Sequence, residues 1–132
     1  MAYGISSTLL ARLLNAAQNS PDAEICGLLL GSDLLIQAAQ PCRNVAPDPA
    51  RAFEIDPAQL FAAHRQARNG GAQVIGHYHS HPSGAAVPSA RDAAQAMGDG
   101  ALWLILTADA ARLWRSVRIG AFEAVALVSQ DE

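Results

Sequence analysis

Lysine is absent from this 132-residue sequence, in which all nine cationic side chains are arginine. Charge is scarce in general, because charged residues make up 16% of the chain and its formal net charge is −3. A nucleic-acid-binding protein usually carries a patch or stripe of basic residues, and this sequence has none. We therefore do not expect nucleic acid to be a partner.

Long apolar runs are also missing, although 51% of the residues are hydrophobic. The uninterrupted apolar segments are far shorter than the ~18 residues that a transmembrane helix needs. Residues 1–4 do not begin a basic segment followed by an apolar one, as a secretory signal would. These absences predict a protein without a membrane partner.

Cysteine occurs only twice, as Cys26 and Cys42. A chain of this length buries roughly two-thirds of its unfolded surface and needs no disulfide to hold one core. Two free thiols are typical of a reducing compartment. We expect residues 1–132 to form a single cytoplasmic domain, whose oligomeric state the sequence leaves open.

Periodicity divides the chain into helices and strands. Apolar spacing and capping residues predict helices over 6–19, 57–68 and 89–97. Apolar runs bounded by turn residues predict strands at 24–31, 34–40, 72–79, 101–107, 111–117 and 121–128. This order predicts an α/β sandwich in which helices flank a mixed β-sheet, with a long loop at 43–56.

Three of the four histidines fall within five residues, at positions 77, 79 and 81. On an extended strand, His79 and His81 face the same side with Cα atoms roughly 6.5–7 Å apart. Two imidazoles at that spacing can share a zinc ion, with Zn–N bonds of about 2.0–2.1 Å. Asp92, in the first turn of the third predicted helix, is the next acidic residue and a candidate third ligand. His77 has the same strand parity and is an alternative ligand on geometry alone.

A catalytic zinc site also needs a carboxylate that moves protons without binding the metal. Glu24 stands directly before the apolar strand that starts at Ile25. Burial there would raise the pKa of its carboxyl group, which suits a general base that takes a proton from water. Taken alone, Glu24 fits a solvated residue at a strand end better.

Two segments of the sequence carry a family signature. The first is Glu24-Ile25-Cys26-Gly27-Leu28-Leu29-Leu30-Gly31, and the second is His79-Ser80-His81, seven residues, then Ser89-Ala90-Arg91-Asp92. At every spacing they resemble the signature of the JAMM (MPN+, or JAB-domain) zinc metalloproteases. Similarity continues around Asn44 and over 53–57, so the chain resembles a short, single-domain, prokaryotic-type member.

The resemblance implies a cytidine-deaminase-like sandwich with a curved mixed sheet. It implies one Zn²⁺ per chain, bound by His79, His81 and Asp92 with a water as the fourth ligand. It implies that Glu24 is the general acid/base and that Ser89 stabilises the oxyanion. Family members cleave peptide or isopeptide bonds, and the resemblance implies a protein substrate such as a ubiquitin-like or sulfur-carrier protein ending in Gly-Gly.

Two further residues are candidate substrate contacts. Phe53 lies in the loop 43–56, which could pair with an extended peptide as an added strand. His77 is not a ligand in the family signature, and it suits a role on the substrate side or in supporting a ligand.

Other interpretations of the same residues remain open. Ser89-x-x-Asp92 also fits a capping box at a helix start, and that role is compatible with catalysis. A non-catalytic MPN module that binds a partner, or a zinc hydrolase of a small amide, would also fit. Zinc-dependent deaminases need the motifs Pro-Cys-x-x-Cys and His-x-Glu. Deamination is excluded here, because position 45, three residues after Cys42, is valine and no His-x-Glu occurs.

Overall fold

The computed structural model describes residues 2–131, within which the chain forms seven strands and three helices. In chain order these are β1 (Ala2–Ser6), α1 (Ser7–Gln18), β2 (Cys26–Ser32), β3 (Leu35–Cys42), α2 (Pro57–Arg68), β4 (Gln73–Ser80), α3 (Ala90–Gln95), β5 (Leu102–Leu106), β6 (Ala111–Arg118) and β7 (Ala121–Gln130). All the predicted elements are present. No helix of the described range is long and apolar enough to cross a membrane.

The strands form one closed, mixed sheet in the order β1-β3-β2-β4-β5-β6-β7, with β1 pairing to β7. β1 runs parallel to both β3 and β7, and β4 runs parallel to β5, while the remaining neighbours are antiparallel. The predicted α/β class with a mixed, curved sheet is therefore confirmed.

Strand β1 is the element that the sequence pattern did not predict. It has only five residues, and its backbone pairs in parallel with residues 126–130 and with Leu35 and Ile36. These partners are distant in sequence, so no local pattern of residue types predicts the strand. Without it the sheet would not close.

Helix α3 is shorter than predicted. The apolar pattern favours a helix to Met97, but the helix ends at Gln95 and Ala96 is already extended, with φ −73° and ψ 119°. Gly98 turns the chain with φ +69°, and its N–H donates to the Ser116 hydroxyl at 2.8 Å. This turn lets Met97 bridge to Ile119 instead of continuing the helix.

The main hydrophobic core lies between α1 and one face of the sheet. Leu9, Leu13 and Ala17 form the buried stripe of α1, at the spacing of successive helical turns. They pack with buried residues of the strands, which are Ile5, Leu29, Ile36, Tyr78, Leu102, Leu104, Leu106 and Leu113.

The opposite face of the sheet carries a smaller, aromatic cluster formed by Cys26, Phe53 and Trp103. Alternation along β4 directs Tyr78 into the main core and the flanking histidines towards this second cluster. The fold thereby places the histidines of β4 on the side of the sheet where the loop 43–56 lies.

Candidate metal centre

The pairing of β2 with β4 brings the two halves of the family signature together. These strands are antiparallel, with Cys26 opposite His79. Extending that register by two residues places Glu24 beside His81, because antiparallel partners advance in opposite directions. Two residues from distant parts of the sequence therefore end at the same point of the sheet.

Three donor groups converge at this point. His79 Nε2 lies 3.1 Å from His81 Nε2 and 3.2 Å from Asp92 Oδ1, and His81 Nε2 lies 3.2 Å from Asp92 Oδ2. In a tetrahedral site with bonds of about 2.0–2.1 Å, ligand atoms are separated by about 3.3 Å. The three side chains could hold a metal ion, and their spacing fits zinc.

Hydrogen bonding fixes the tautomer of His81. Its Nδ1 lies 2.8 Å from the carbonyl oxygen of Ala85, which can only accept, so Nδ1 carries the proton. Nε2 then presents a lone pair to the other donors. This is the form of imidazole that binds a metal.

His79 is held by packing rather than by a hydrogen bond to its outer nitrogen. Its side chain is fully buried, and its Nδ1 has no hydrogen-bond partner among the residues that the structure describes. The Phe53 ring stacks on the imidazole with a centroid distance of 4.2 Å and an interplanar angle of 16°. Burial lowers the pKa of His79, which favours the neutral, metal-binding imidazole.

Asp92 belongs both to the cap of α3 and to the cluster of candidate metal ligands. At the start of α3, its backbone N–H donates to Ser89 Oγ at 3.1 Å and its Oδ2 accepts from the Ser89 N–H at 2.9 Å, which forms a capping box. Burial alone raises the pKa of Asp92, but its close interactions with the His79 and His81 rings and the hydrogen bond from the Ser89 N–H outweigh burial and hold the pKa well below its usual range. The carboxylate therefore stays charged next to the imidazoles.

Glu24 lies beside this donor cluster in a different environment. It is buried, with 7% of its surface exposed. Burial raises the pKa of its carboxyl group to about 7, and the proximity of His81 opposes part of this increase. A cavity of about 190 Å³ is lined by Glu24, His81 and Ser89 together with Ala50, Arg51, Pro82 and Ser83.

His77 is not part of the donor cluster. It packs edge-on against Trp103 with a centroid distance of 4.4 Å, and its Nδ1 is buried without a hydrogen-bond partner in residues 2–131. Burial lowers the pKa of His77 to about 4, so the ring is neutral at physiological pH. It lines two cavities, of about 630 Å³ and about 420 Å³, which also share Ile55 and Leu60.

Phe53 is less exposed than its position in a loop suggests. Only 8% of its surface is exposed, because its ring packs on His79 and Trp103. It still lines the cavity of about 630 Å³ beside His77. Its contact with substrate stays a prediction, and the structure adds a contact with a candidate ligand that the sequence did not indicate.

Two residues to which the sequence analysis gave no role also contact the segment that carries Glu24. Ser80 Oγ accepts from the Ile25 N–H at 2.9 Å, and Asn44 Nδ2 donates to the Glu24 carbonyl oxygen at 2.9 Å. Their only sequence signal is their place within or near the family signature. Backbone contacts of this kind leave no pattern of residue types.

A curved mixed sheet with two imidazoles, a carboxylate and a separate buried carboxyl group defines the site of a metal-dependent hydrolase. Residues 6–120 match the family described as prokaryotic homologs of the JAB domain, and the chain belongs to this family as a JAMM-type hydrolase.

Individual relatives agree with this family. A desampylase of Haloferax volcanii is 36% identical over 111 residues, covering 83% of this chain and 80% of that protein. A probable TtuB-protein conjugate cleaving protease of Thermus thermophilus is 38% identical over 61 residues, covering 46% of this chain and 41% of that protein. A JAB1/MPN domain protein of Archaeoglobus fulgidus has the same fold, with a TM-score of 0.61, 21% identity and coverage of 97% and 98% of the two chains.

Proposed function

We propose that this chain is a zinc-dependent metallopeptidase that hydrolyses the peptide or isopeptide bond at the C-terminal tail of a ubiquitin-like or sulfur-carrier protein. The observation that carries the proposal is the placement of Glu24, with a pKa of about 7, beside three converged donor groups. The names of the relatives, a desampylase and a protease that cleaves TtuB–protein conjugates, support a protein-conjugate substrate.

In this proposal His79, His81 and Asp92 would hold one Zn²⁺ per chain, and a water would be its fourth ligand. When bound, the ion polarises the scissile carbonyl and lowers the pKa of water to about 7. The buried Asp92 carboxylate supplies negative charge, and the hydrogen bond to Ala85 keeps the His81 ring oriented with Nε2 towards the other donors. The chain's own part is to keep these donors in place.

Glu24 transfers the proton in both halves of the reaction. Its carboxylate accepts a proton from the attacking water and then delivers it to the nitrogen of the leaving amine. A pKa of about 7 suits both steps, because the group is readily protonated and readily deprotonated at neutral pH.

Ser89 stabilises the oxyanion in this scheme. Its Oγ accepts from the Asp92 N–H at 3.1 Å, which leaves the hydroxyl proton free to be donated. The side chain lines the same cavity as Glu24, so its hydroxyl can donate to an oxyanion formed there.

The substrate tail lies in the cavity of about 630 Å³ that Phe53 and His77 line. Phe53 and His77 are the proposed contacts of the tail, through the parts of their rings that line this cavity. The proposed tail ends in Gly-Gly, whose small residues pass a confined site most easily. The pairing of the first strand with the last supports our expectation of a single folding unit over 1–132. The two free thiols support a cytoplasmic location.

The test uses zinc-loaded protein and a modifier ending in Gly-Gly, supplied both as a linear fusion and as a lysine conjugate. Wild type is expected to cleave at the Gly-Gly terminus, Glu24→Gln to retain zinc without turnover, and His79→Ala to lose zinc. The linear fusion and the lysine conjugate distinguish peptide from isopeptide specificity. Full zinc loading without cleavage of either substrate would reject the proposal in favour of a binding module.

A further inference from the structure

The Asn44 side chain uses all of its hydrogen-bonding capacity on backbone groups. Its Nδ2 donates to the carbonyl oxygens of Glu24 and Ala52 at 2.9 and 3.0 Å. Its Oδ1 accepts from the N–H groups of Ala46 and Glu54 at 3.0 and 3.1 Å. Two acceptors face the nitrogen and two donors face the oxygen, so only an amide in this orientation satisfies all four groups.

Two of these four hydrogen bonds fix the backbone next to an aromatic residue whose ring packs on a candidate metal ligand. Ala52 and Glu54, both bonded to Asn44, are the neighbours of Phe53 in sequence. Phe53 stacks on His79, whose Nδ1 has no hydrogen bond within the described part of the chain to orient the imidazole. The position of the ring against His79 therefore depends on the backbone that Asn44 fixes.

Another of these hydrogen bonds fixes the backbone of Glu24. Strand β2 begins only at Cys26, so Glu24 lies just outside the regular ladder. Its carbonyl accepts from Asn44, and its N–H donates to the Pro49 carbonyl at 2.7 Å. Both bonds come from the loop 43–56, which connects the position of Glu24 to the position of Phe53.

We propose that Asn44 is a positioning residue that sets the Glu24 carboxyl group relative to the donor cluster and keeps Phe53 against His79. The inference rests on the proposed function, in which Glu24 moves protons. Asn44 itself lies behind the site and acts through the backbone of these two residues.

The test compares Asn44→Ala with a matched control on α2 whose side chain bonds the backbone of the same loop. Gln59 Oε1 accepts from the Arg43 N–H at 2.7 Å, a bond next to Asn44 that touches neither Glu24 nor Phe53. Displacement of a reacting group by 1 Å can reduce the rate about 100-fold, so we expect Asn44→Ala to lower kcat by about this factor with KM within about two-fold. Gln59→Ala is expected to keep the wild-type kcat.

A second variant separates the hydrogen bonds made by Asn44 Nδ2 from those made by Oδ1. Asn44→Asp keeps acceptors for the N–H groups of Ala46 and Glu54 but loses the donors to the carbonyls of Glu24 and Ala52. We expect it to lose kcat as Asn44→Ala does while retaining zinc and a cooperative unfolding transition. A wild-type kcat in Asn44→Asp would overturn the role of the bond to Glu24.

Amide hydrogen exchange of the zinc-loaded proteins, without substrate, gives a readout independent of activity. We expect exchange at the Glu24 N–H to accelerate at least about ten-fold in both Asn44 variants and to stay unchanged in Gln59→Ala. A lower melting temperature with unchanged kcat and unchanged Glu24 exchange would assign Asn44 a purely structural role and overturn the inference. If wild type cleaves no substrate, the proposed function fails, whereas the exchange data still decide whether Asn44 holds Glu24.

Discussion

Two carboxyl groups beside the same imidazoles have their pKa values shifted in opposite directions. Burial raises the pKa of Glu24 to about 7, whereas interactions with the His79 and His81 rings keep that of Asp92 far below its usual range despite burial. The difference separates a group that can exchange a proton near neutral pH from one that stays anionic. At the scale of single residues, this contrast is what the proposed proton-transfer role of Glu24 and the proposed ligand role of Asp92 require.

The pH dependence of the reaction tests the assignment of Glu24. A general base must be deprotonated, so kcat/KM of the zinc-loaded protein is expected to fall as the pH drops below about 7. The positive charge of the bound ion shifts this inflection to lower pH. Profiles between about pH 5 and 9 should be the same in wild type and in a His64→Gln control, whose histidine is exposed on α2. A rate that increases on acidification would contradict the assignment.

The same carboxyl group should destabilise the metal-free protein. Its folded pKa of about 7 exceeds the ordinary value of 4.5, so folding favours the protonated form, and the cost grows as the pH rises from 4.5 to about 7. Glu24→Gln removes this cost and should raise the free energy of unfolding by about 1–3 kcal/mol at pH 8. Urea denaturation should show the difference shrinking towards pH 5. A variant no more stable than wild type at pH 8 would show that the carboxylate is well solvated.

At the scale of secondary-structure elements, two helices of this chain begin with the same serine cap, but the two serines lie in different surroundings. Ser6 begins α1 and Ser89 begins α3, and each hydroxyl accepts from the backbone N–H three residues later, at 3.0 and 3.1 Å. Ser6 lies over the main core, whereas Ser89 lines the cavity beside Glu24. The two serines therefore make a matched pair for separating capping from catalysis.

Both Ser6→Ala and Ser89→Ala should lower the free energy of unfolding by about 1 kcal/mol, the usual value of an N-cap. Only Ser89→Ala should also lower kcat, by about 100-fold, because it removes a donor to the oxyanion. Calorimetry and steady-state kinetics on the two variants provide the comparison. If the two variants have equal kcat, Ser89 is a cap and nothing more.

Most elements were predictable from the sequence, since periodicity and capping residues are local signals. Helices α1 and α2 begin and end within a residue of their predicted bounds, and the spacing of His79, His81 and Asp92 predicted that their side chains would meet. Strand β1 and the contacts of Asn44 were not predictable. Both depend on backbone groups, which every residue type carries, at positions distant in sequence.

At the scale of the whole molecule, closure of the sheet depends on its shortest pairing. Within residues 2–131, β1 pairs with β3 at two positions, Gly4 and Ile5, yet it joins that strand to β7. Ile5 is fully buried in the main core, which links closure to the packing of α1. Stability of the whole sheet should therefore be sensitive to this residue.

Ile5→Ala should lower the free energy of unfolding by about 2–5 kcal/mol, because it removes buried methyl groups and leaves a cavity. Val128→Ala on the neighbouring strand β7 is the control, since Val128 is 48% exposed, and its effect should stay within about 0.5 kcal/mol. Denaturant titrations of the two variants measure both values. Equal losses would show that β1 adds little to the closed sheet.

The two strands that lead to the donor cluster, β2 and β4, have no free edge. Within residues 2–131 each of them is paired on both sides, so an extended peptide cannot add itself to the sheet there as a further strand. A substrate tail must take its main-chain hydrogen bonds from residues outside the barrel, and the loop 43–56 borders the cavity beside His77. Changes in that loop, rather than in the strands, would then alter which tails are accepted while leaving the scaffold unchanged.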